Sequence, residues 1–255
     1  MRGRELPVMS RPGGTMETKF EPVMNASTTL PRPTPAPTFA VDRHRVMRNT
    51  YWLLALSLLP TVAGAWVGMQ LNFVAVFAAH PIATPLLMLG AMMGSAFAVA
   101  RLRNSSWGVA ALLGFTFLAG VFLAPILSVA AGLRNGGTLV GVAAGMTATI
   151  FFGMAAVATL SKRDFSFLGN FLWIGLLLLI VAMVANLFFQ VPALQLALSA
   201  VAVLLFSGFV LYDLSNIVNG GETNYVMATL NIFLDLYNIF VSLLNLLMAF
   251  SGQRD

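Results

Sequence analysis

The chain has 255 residues but no cysteine and only two histidines. The absence of cysteine excludes disulfides, zinc–thiolate sites and thiol catalysis. His44 and His80 both fall outside the long apolar runs, so neither an intramembrane histidine pair for haem nor a histidine–aspartate hydrolytic dyad is expected. A phosphate-binding glycine loop in a βαβ context is also missing. The sequence therefore predicts no enzyme and no tightly bound cofactor.

Charged residues are scarce as well. They make up 9% of the chain, whereas hydrophobic residues make up 58%, and the mean hydropathy is +0.85. This balance is typical of an integral membrane protein and excludes a soluble globular domain. The formal net charge of +5 comes from basic residues in the N-terminal segment and in short loops. We interpret them as determinants of membrane topology and predict no nucleic-acid partner.

The N-terminal segment differs in composition from the rest of the chain. Residues 1–45 are rich in proline, threonine and arginine, as in the stretch Leu30–Pro37, and they show no sustained apolar period. Such a segment is not expected to bury enough apolar surface to fold. We predict a disordered cytoplasmic arm over residues 1–45 and a transmembrane domain over residues 46–255.

The transmembrane domain contains seven apolar runs, each long enough to cross about 30 Å of hydrocarbon as a helix. Short breaks separate them, which predicts an all-α, compact bundle of seven transmembrane helices without an extramembrane domain. The predicted spans are Tyr51–Leu71, Pro81–Ala100, Trp107–Ala130, Leu139–Leu160, Leu168–Phe189, Ala193–Leu214 and Met227–Phe250.

The basic residues predict the orientation of this bundle, because cytoplasmic loops retain lysine and arginine. One side of the membrane holds most of them, and the other side holds two arginines. The N-terminus is therefore predicted to be cytoplasmic and the C-terminus outside. The first group is Arg43, Arg45, Arg48, Arg101, Arg103, Lys162 and Arg163, and the second is Arg134 and Arg254.

Two acidic residues, Asp213 and Asp235, lie inside the apolar runs, in the sixth and seventh predicted helices. An ionisable side chain in a bilayer costs about 2.5–3.5 kcal/mol even on lenient scales, so it usually pairs with another group or carries a proton or ion. The predicted topology places both acids in the inner half of the membrane. Arg101 and Arg103 follow the second predicted helix at the same face, where their long side chains can snorkel to within reach of both acids.

Two carboxylates that meet in a medium of low dielectric cannot both ionise cheaply, so they hold one proton between them. Asp213 and Asp235 would then form a proton sensor. A structural alternative stays open, in which these acids only join the sixth and seventh helices through hydrogen bonds.

Small residues recur along the predicted helices at spacings that allow close packing. We interpret these glycines as helix contacts of the small-xxx-small type. The pairs are Gly64 with Gly68, Gly90 with Gly94, Gly114 with Gly120, and Gly141 with Gly145.

Three segments carry a resemblance to a known family. Ser161–Leu168, Leu211–Asp213 and Leu234–Phe240 together resemble the Bax inhibitor family of seven-helix membrane proteins. The resemblance extends from about residue 45 to the C-terminus, and the first segment is similar to bacterial members that include the modulator of the FtsH membrane protease. It implies a location in the bacterial inner membrane.

The resemblance also implies a function, namely a pH-sensitive calcium leak in which two acids share a proton and one of them pairs with an arginine. The acids match Asp213 and Asp235, and the arginine matches Arg101, with Arg103 as the alternative. Oxygen ligands suit calcium, although it takes six to eight of them, so Asp213 and Asp235 would be only part of its path. A second hypothesis is a non-transporting regulator that binds and restrains a membrane AAA protease such as FtsH.

Overall fold

The computed structural model describes residues 39–71, 79–161 and 163–251. Within these ranges all regular structure is helical and no strand occurs. The seven helices are all long and apolar enough to cross a membrane, which confirms the predicted fold class. Their bounds are α1 Phe39–Gln70, α2 Ala83–Leu102, α3 Trp107–Ala131, α4 Gly136–Leu160, α5 Leu168–Phe189, α6 Pro192–Asn219 and α7 Tyr225–Ser251.

The helix ends follow from local backbone chemistry rather than from where the apolar run stops. α6 continues past the predicted end at Leu214 and ends at Asn219. Gly220 then terminates the helix in a left-handed conformation with φ of 79°, and its N–H donates to the last carbonyls. Gln190 caps α5 similarly, just after the last helical residue Phe189, with φ of 53°. Pro192 begins α6 at a position that needs no N–H donor.

The predicted boundary at residue 45 stays a prediction. Residues 1–38 lie outside the part that the structure describes, and α1 begins at Phe39. Lys162 and Arg254, two of the basic residues that predict the orientation, also lie outside the described residues. The orientation of the termini is likewise still a prediction.

α7 forms the centre of the bundle. In the described part of the chain it packs against α1, α2, α3, α4 and α6, whereas α5 packs against α6. Its buried side chains include Ile232, Ile239 and Leu244, which are fully enclosed. Because α7 is enclosed by its neighbours, a polar residue on this helix meets protein rather than lipid.

The glycine pairs divide into two groups, and the interpretation of all of them as packing contacts is wrong. A Cβ on Gly64 would overlap the carbonyl oxygen of Phe117, and one on Gly120 would overlap that of Thr61. A Cβ on Gly68 would lie 2.6 Å from the carbonyl oxygen of Val121. These three glycines let the backbones of α1 and α3 touch.

The other glycines of the predicted pairs would place a Cβ in open space, with no neighbouring atom within 4 Å. Spacing alone brings small residues to one face of a helix, but it does not determine whether a neighbouring helix lies there. The glycines concerned are Gly90, Gly94, Gly114, Gly141 and Gly145.

Candidate proton-sensing site

The structure brings Asp213 of α6 and Asp235 of α7 together, and their side chains are in hydrogen-bonding contact. The short turn after Asn219 folds α7 back antiparallel to α6. At 1.5 Å per residue, Asp213 lies about 9 Å and Asp235 about 15 Å along their helices from this turn. Both carboxylates therefore belong to the same end of the bundle.

The two acids differ in exposure. Asp235 is only 5% exposed, and its Oδ2 has no hydrogen-bond partner in the described part of the chain. Asp213 is partly buried. Val210 and Leu214 on α6 and Ile232 on α7 are almost fully buried around this pair of residues. Surroundings of this kind make two adjacent negative charges expensive, and a single proton held in the contact relieves the repulsion.

Asp235 also belongs to a polar stripe along one face of α7. The stripe consists of side chains that recur at helical spacing, namely Asn231, Asp235, Asn238, Ser242 and Asn245. Asn238 donates its amide N–H to the carbonyl of Leu234 at 2.8 Å, and Ser242 is buried. Of this stripe, only Asp235 was predicted from the sequence to be a proton-sensing residue. A search for polar residues at helical spacing within an apolar span would have found the rest.

Glu222, in the turn between α6 and α7, is a third acid of this region. Its negative charge acts on Asp213, although its carboxylate also accepts a hydrogen bond from the backbone N–H of Asn224 at 2.7 Å. From the sequence, Glu222 was only part of a predicted break between helices. Polar residues are ordinary in turns, so composition gave no signal for it.

Asn224 connects the start of α7 to the turn between α2 and α3. Its Oδ1 accepts hydrogen bonds from the backbone N–H groups of Val226 and Met227, as an N-cap does. Its Nδ2 donates to the carbonyl of Arg103 at 3.0 Å and to Oδ1 of Asn104 at 2.9 Å. The segment that carries the predicted latch arginines is thus fixed to the helix that carries Asp235.

The predicted ion pair with an arginine is not formed in this structure. Arg101, in the last turn of α2, and Arg103, just after it, are both exposed. Among the residues that the structure describes, neither forms an ion pair with Asp213 or Asp235. The arginine latch therefore stays a prediction, and it would require a second arrangement of this end of the bundle.

The loop between α4 and α5 contacts α6 close to Asp213. The backbone N–H of Phe165 donates to Oγ of Ser215 at 3.1 Å, and the side chain of Asn219 donates to the same oxygen. Within the loop, Asp164 accepts hydrogen bonds from the hydroxyl and the backbone N–H of Ser166. These bonds hold the pKa of Asp164 below its ordinary value of 3.8.

The acids do not amount to a complete metal site. Within the described ranges, no three histidine, cysteine, aspartate or glutamate residues converge on one point that suits a metal ion. Calcium takes six to eight oxygen ligands, so the two aspartates would need backbone carbonyls and water around a passing ion.

Comparison with known proteins gives the family. The family model described as inhibitor of apoptosis-promoting Bax1 matches residues 43–252. A protein of Pseudomonas aeruginosa is 40% identical over 208 residues, which cover 82% of this chain and 90% of that protein. The modulator of FtsH protease YccA of Escherichia coli K12 is 40% identical over 212 residues, which cover 82% of this chain and 92% of YccA.

Other relatives agree on the location in the cell. The same protein in a second strain of Escherichia coli is named inner membrane protein YccA and is also 40% identical, and a membrane protein of Vibrio cholerae is 38% identical over 207 residues, 90% of its length. Together with the seven apolar helices, these names confirm the predicted multi-pass location in the inner membrane. The match of the family model over nearly all of the transmembrane domain confirms the resemblance, and the chain belongs to the Bax inhibitor family.

Proposed function

We propose that this protein is a pH-sensitive cation leak with calcium as the transported ion, regulated by a proton shared between Asp213 and Asp235. The single observation that supports the proposal is the contact of these two side chains within the bundle. A chain seldom keeps two acids in apolar helices without a role for their charge. The change of the pair between one and two negative charges is the signal in this proposal.

In this proposal the closed state forms when Arg101 pairs with Asp213, and Arg103 is the alternative to Arg101. A guanidinium attracts an ionised carboxylate and gains little from a protonated one. When the pair loses its proton at higher pH, Arg101 engages Asp213 and closes the cytoplasmic end of the path. Protonation at lower pH releases the arginine, so we expect the cation flux to rise as pH falls through the neutral range.

Calcium flux into liposomes tests the role of the acids. Asp213→Asn and Asp235→Asn each leave a single carboxyl that is no longer coupled to a second one. Both variants are therefore expected to lose the pH dependence of flux that the unmodified protein shows between pH 6 and 8, roughly the range around neutrality in which a coupled carboxyl pair can titrate. Asp164→Asn is the matched control, because Asp164 lies in an exposed loop. Unchanged flux and unchanged pH dependence in both pair variants would refute the proposal.

Flux measurements on arginine variants test the latch separately. Arg101→Gln is expected to raise flux at the higher pH, where the latch should be closed, and to change little at the lower pH. Arg103→Gln is the comparison, and an effect confined to that variant would assign the latch to Arg103. If neither substitution changes flux at the higher pH, the acids act without an arginine partner.

A second candidate function is a non-transporting regulator of a membrane protease. The observation that favours it is the name of the Escherichia coli relative, modulator of FtsH protease. Both candidate functions are non-enzymatic. We expect the full chain, solubilised mildly from native membranes, to co-purify with the FtsH protease of the same cell.

The two candidates are separable. A deletion of residues 1–38 tests whether the N-terminal segment carries the contact with the protease. Co-purification together with a lack of calcium flux by the purified protein would favour the regulator, and pH-dependent flux without a co-purifying protease would favour the leak.

A further inference from the structure

A lateral groove lies between α1 and α4, and α7 forms its floor. α7 packs against both helices, whereas α1 and α4 make at most sparse contact with each other in the described residues. The cavity between them has a volume of about 730 Å³. Ala55 and Leu58 line one wall, Ala148 and Phe152 the other, and Phe233 and Tyr237 the floor.

The groove opens towards the lipid rather than into the bundle. Leu58 is 53% exposed and Phe152 is 68% exposed, and the alanines on both walls are exposed as well. The two threonines that line the groove, Thr61 and Thr147, donate their hydroxyls to backbone carbonyls of their own helices. The interior of the groove therefore suits a hydrocarbon ligand.

The length of the groove matches one leaflet of a bilayer. On α1 it extends from Tyr51 to Thr61, which is about 15 Å at 1.5 Å per residue. Half of a hydrocarbon core of about 30 Å is the same length. Because these residues form the first half of the apolar part of α1, the groove lies in the leaflet nearest the N-terminal end of that helix.

A free positive charge lies at the end of this groove. Arg48 is one turn before Tyr51 and two turns before Ala55 on the same face of α1. Its side chain is exposed and forms no ion pair in the described part of the chain. At the same end, the ring of Tyr51 packs edge-on against Phe151. The Tyr51 hydroxyl has no hydrogen-bond partner among the described residues.

We propose that the groove binds an anionic phospholipid, with an acyl chain between α1 and α4 and the phosphate at Arg48. The apolar walls, the length of one leaflet and the cation at the mouth together specify this ligand. A transmembrane helix is the alternative occupant. A phosphate at the level of the headgroups gives Arg48 an anionic partner, which an apolar helix segment does not.

Native mass spectrometry of the purified full chain tests the proposal with two lipids of equal acyl chains, dioleoyl phosphatidylglycerol and dioleoyl phosphatidylcholine. The protein is expected to prefer the anionic lipid about fivefold, the contribution of one basic residue near an anionic headgroup. Arg48→Gln should abolish this preference. Arg134→Gln, which removes a cation beyond the far end of α3, should leave it unchanged.

Ala148→Phe tests the apolar part of the groove, because the added ring occupies the space of an acyl chain. Binding of both lipids should fall in this variant. Ala91→Phe, on an exposed face of α2 away from the groove, is the matched control and should bind lipid as the unmodified protein does. A preference for the anionic lipid that survives Arg48→Gln, or equal losses in both phenylalanine variants, would overturn the proposal.

A photo-reactive amino acid in place of Ala148 provides a measurement that does not depend on purification. In native membranes it is expected to cross-link to phospholipid. Cross-linking to a protein instead would show that a transmembrane helix occupies the groove and would overturn the lipid assignment.

Discussion

Asp235 is the most enclosed acidic side chain of the described residues, and one of its two oxygens has no hydrogen-bond partner. Native proteins rarely leave a buried polar atom in this state, and such atoms concentrate at sites that store strain or carry function. Asp213 is the side chain that makes the environment of Asp235 tolerable, because it provides the hydrogen bond that Asp235 does have.

This dependence gives a prediction for stability. Asp213→Asn keeps a side chain that can hydrogen-bond to Asp235, whereas Asp213→Ala leaves a buried carboxyl group without a partner. We expect Asp213→Ala to lower the free energy of unfolding by about 1–3 kcal/mol more than Asp213→Asn does, the usual cost of an orphaned buried polar group. Unfolding in detergent, followed by circular dichroism, measures the difference. Equal stabilities of the two variants would mean that the contact contributes nothing to the fold.

A residue outside the membrane gives a prediction for pH. The hydroxyl of Ser166 is the main reason that the pKa of Asp164 lies below 3.8. A carboxyl with a lowered pKa stabilises the folded loop above its ordinary pKa, and this contribution is lost as pH falls through the lowered value. Ser166→Ala should therefore raise the pKa of Asp164 and move this loss to higher pH.

The carboxyl carbon shift of Asp164, followed by NMR during an acid titration of the full chain, measures that change. Ser161→Ala is the control. Its hydroxyl accepts a hydrogen bond from the N–H of Arg163 and does not contact Asp164, so the titration of Asp164 should stay as in the unmodified protein.

At the scale of helices, the contact between α1 and α3 depends on glycines that admit no side chain. Gly64→Ala is expected to force these helices apart, because its Cβ would overlap the carbonyl oxygen of Phe117. Overpacking of this kind typically costs about 1–3 kcal/mol, more than the helix propensity gained. Gly114→Ala, on an open face of α3, should be neutral or stabilising by up to about 1 kcal/mol.

Thermal unfolding of the two variants side by side checks this prediction. A loss of stability in Gly114→Ala as large as that in Gly64→Ala would show that glycine is needed for a reason other than the approach of α1 to α3.

The helices themselves could be predicted from the sequence because a bilayer requires about twenty consecutive apolar residues for each crossing. The pairing of Asp213 with Asp235 could also be predicted, since a short turn forces α6 and α7 to be antiparallel neighbours. Charged residues in apolar runs are rare enough to be conspicuous. Prediction from the sequence therefore works well for features that a bilayer constrains strongly, such as the length of an apolar run or a charge within it.

Features that depend on which helices become neighbours could not be predicted in this way. The sequence does not determine which glycine face meets another helix, so Gly64 and Gly114 looked alike. The groove lies where α7 packs against both α1 and α4 while these two helices make at most sparse contact with each other in the described residues, and no local sequence pattern predicts that arrangement. Glu222 and Asn224 were missed because polar residues are unremarkable in a turn.

For the whole molecule, orientation in the membrane links the two proposals. If the N-terminus is cytoplasmic, Asp213 and Asp235 lie in the inner half of the bilayer, and Arg48 lies at the cytoplasmic headgroups, where anionic lipids create a negative surface potential. The reverse orientation would place the acid pair and the groove on the opposite side. The proton that regulates the leak would then come from outside the cell rather than from the cytoplasm.

The natural absence of cysteine allows a direct test of orientation with single cysteines. Ser106, between α2 and α3, and Thr138, at the start of α4, are exposed polar residues at opposite ends of the bundle. Arg101 and Arg103 lie just before Ser106, and positively charged loops tend to stay on the cytoplasmic side. A membrane-impermeant maleimide, applied after the outer membrane is opened, should therefore label Thr138→Cys but not Ser106→Cys, and disruption of the inner membrane should make both reactive. Labelling of Ser106→Cys alone would show that the topology is the reverse of the predicted one. The acid pair and the lipid groove would then lie in the outer half of the bilayer.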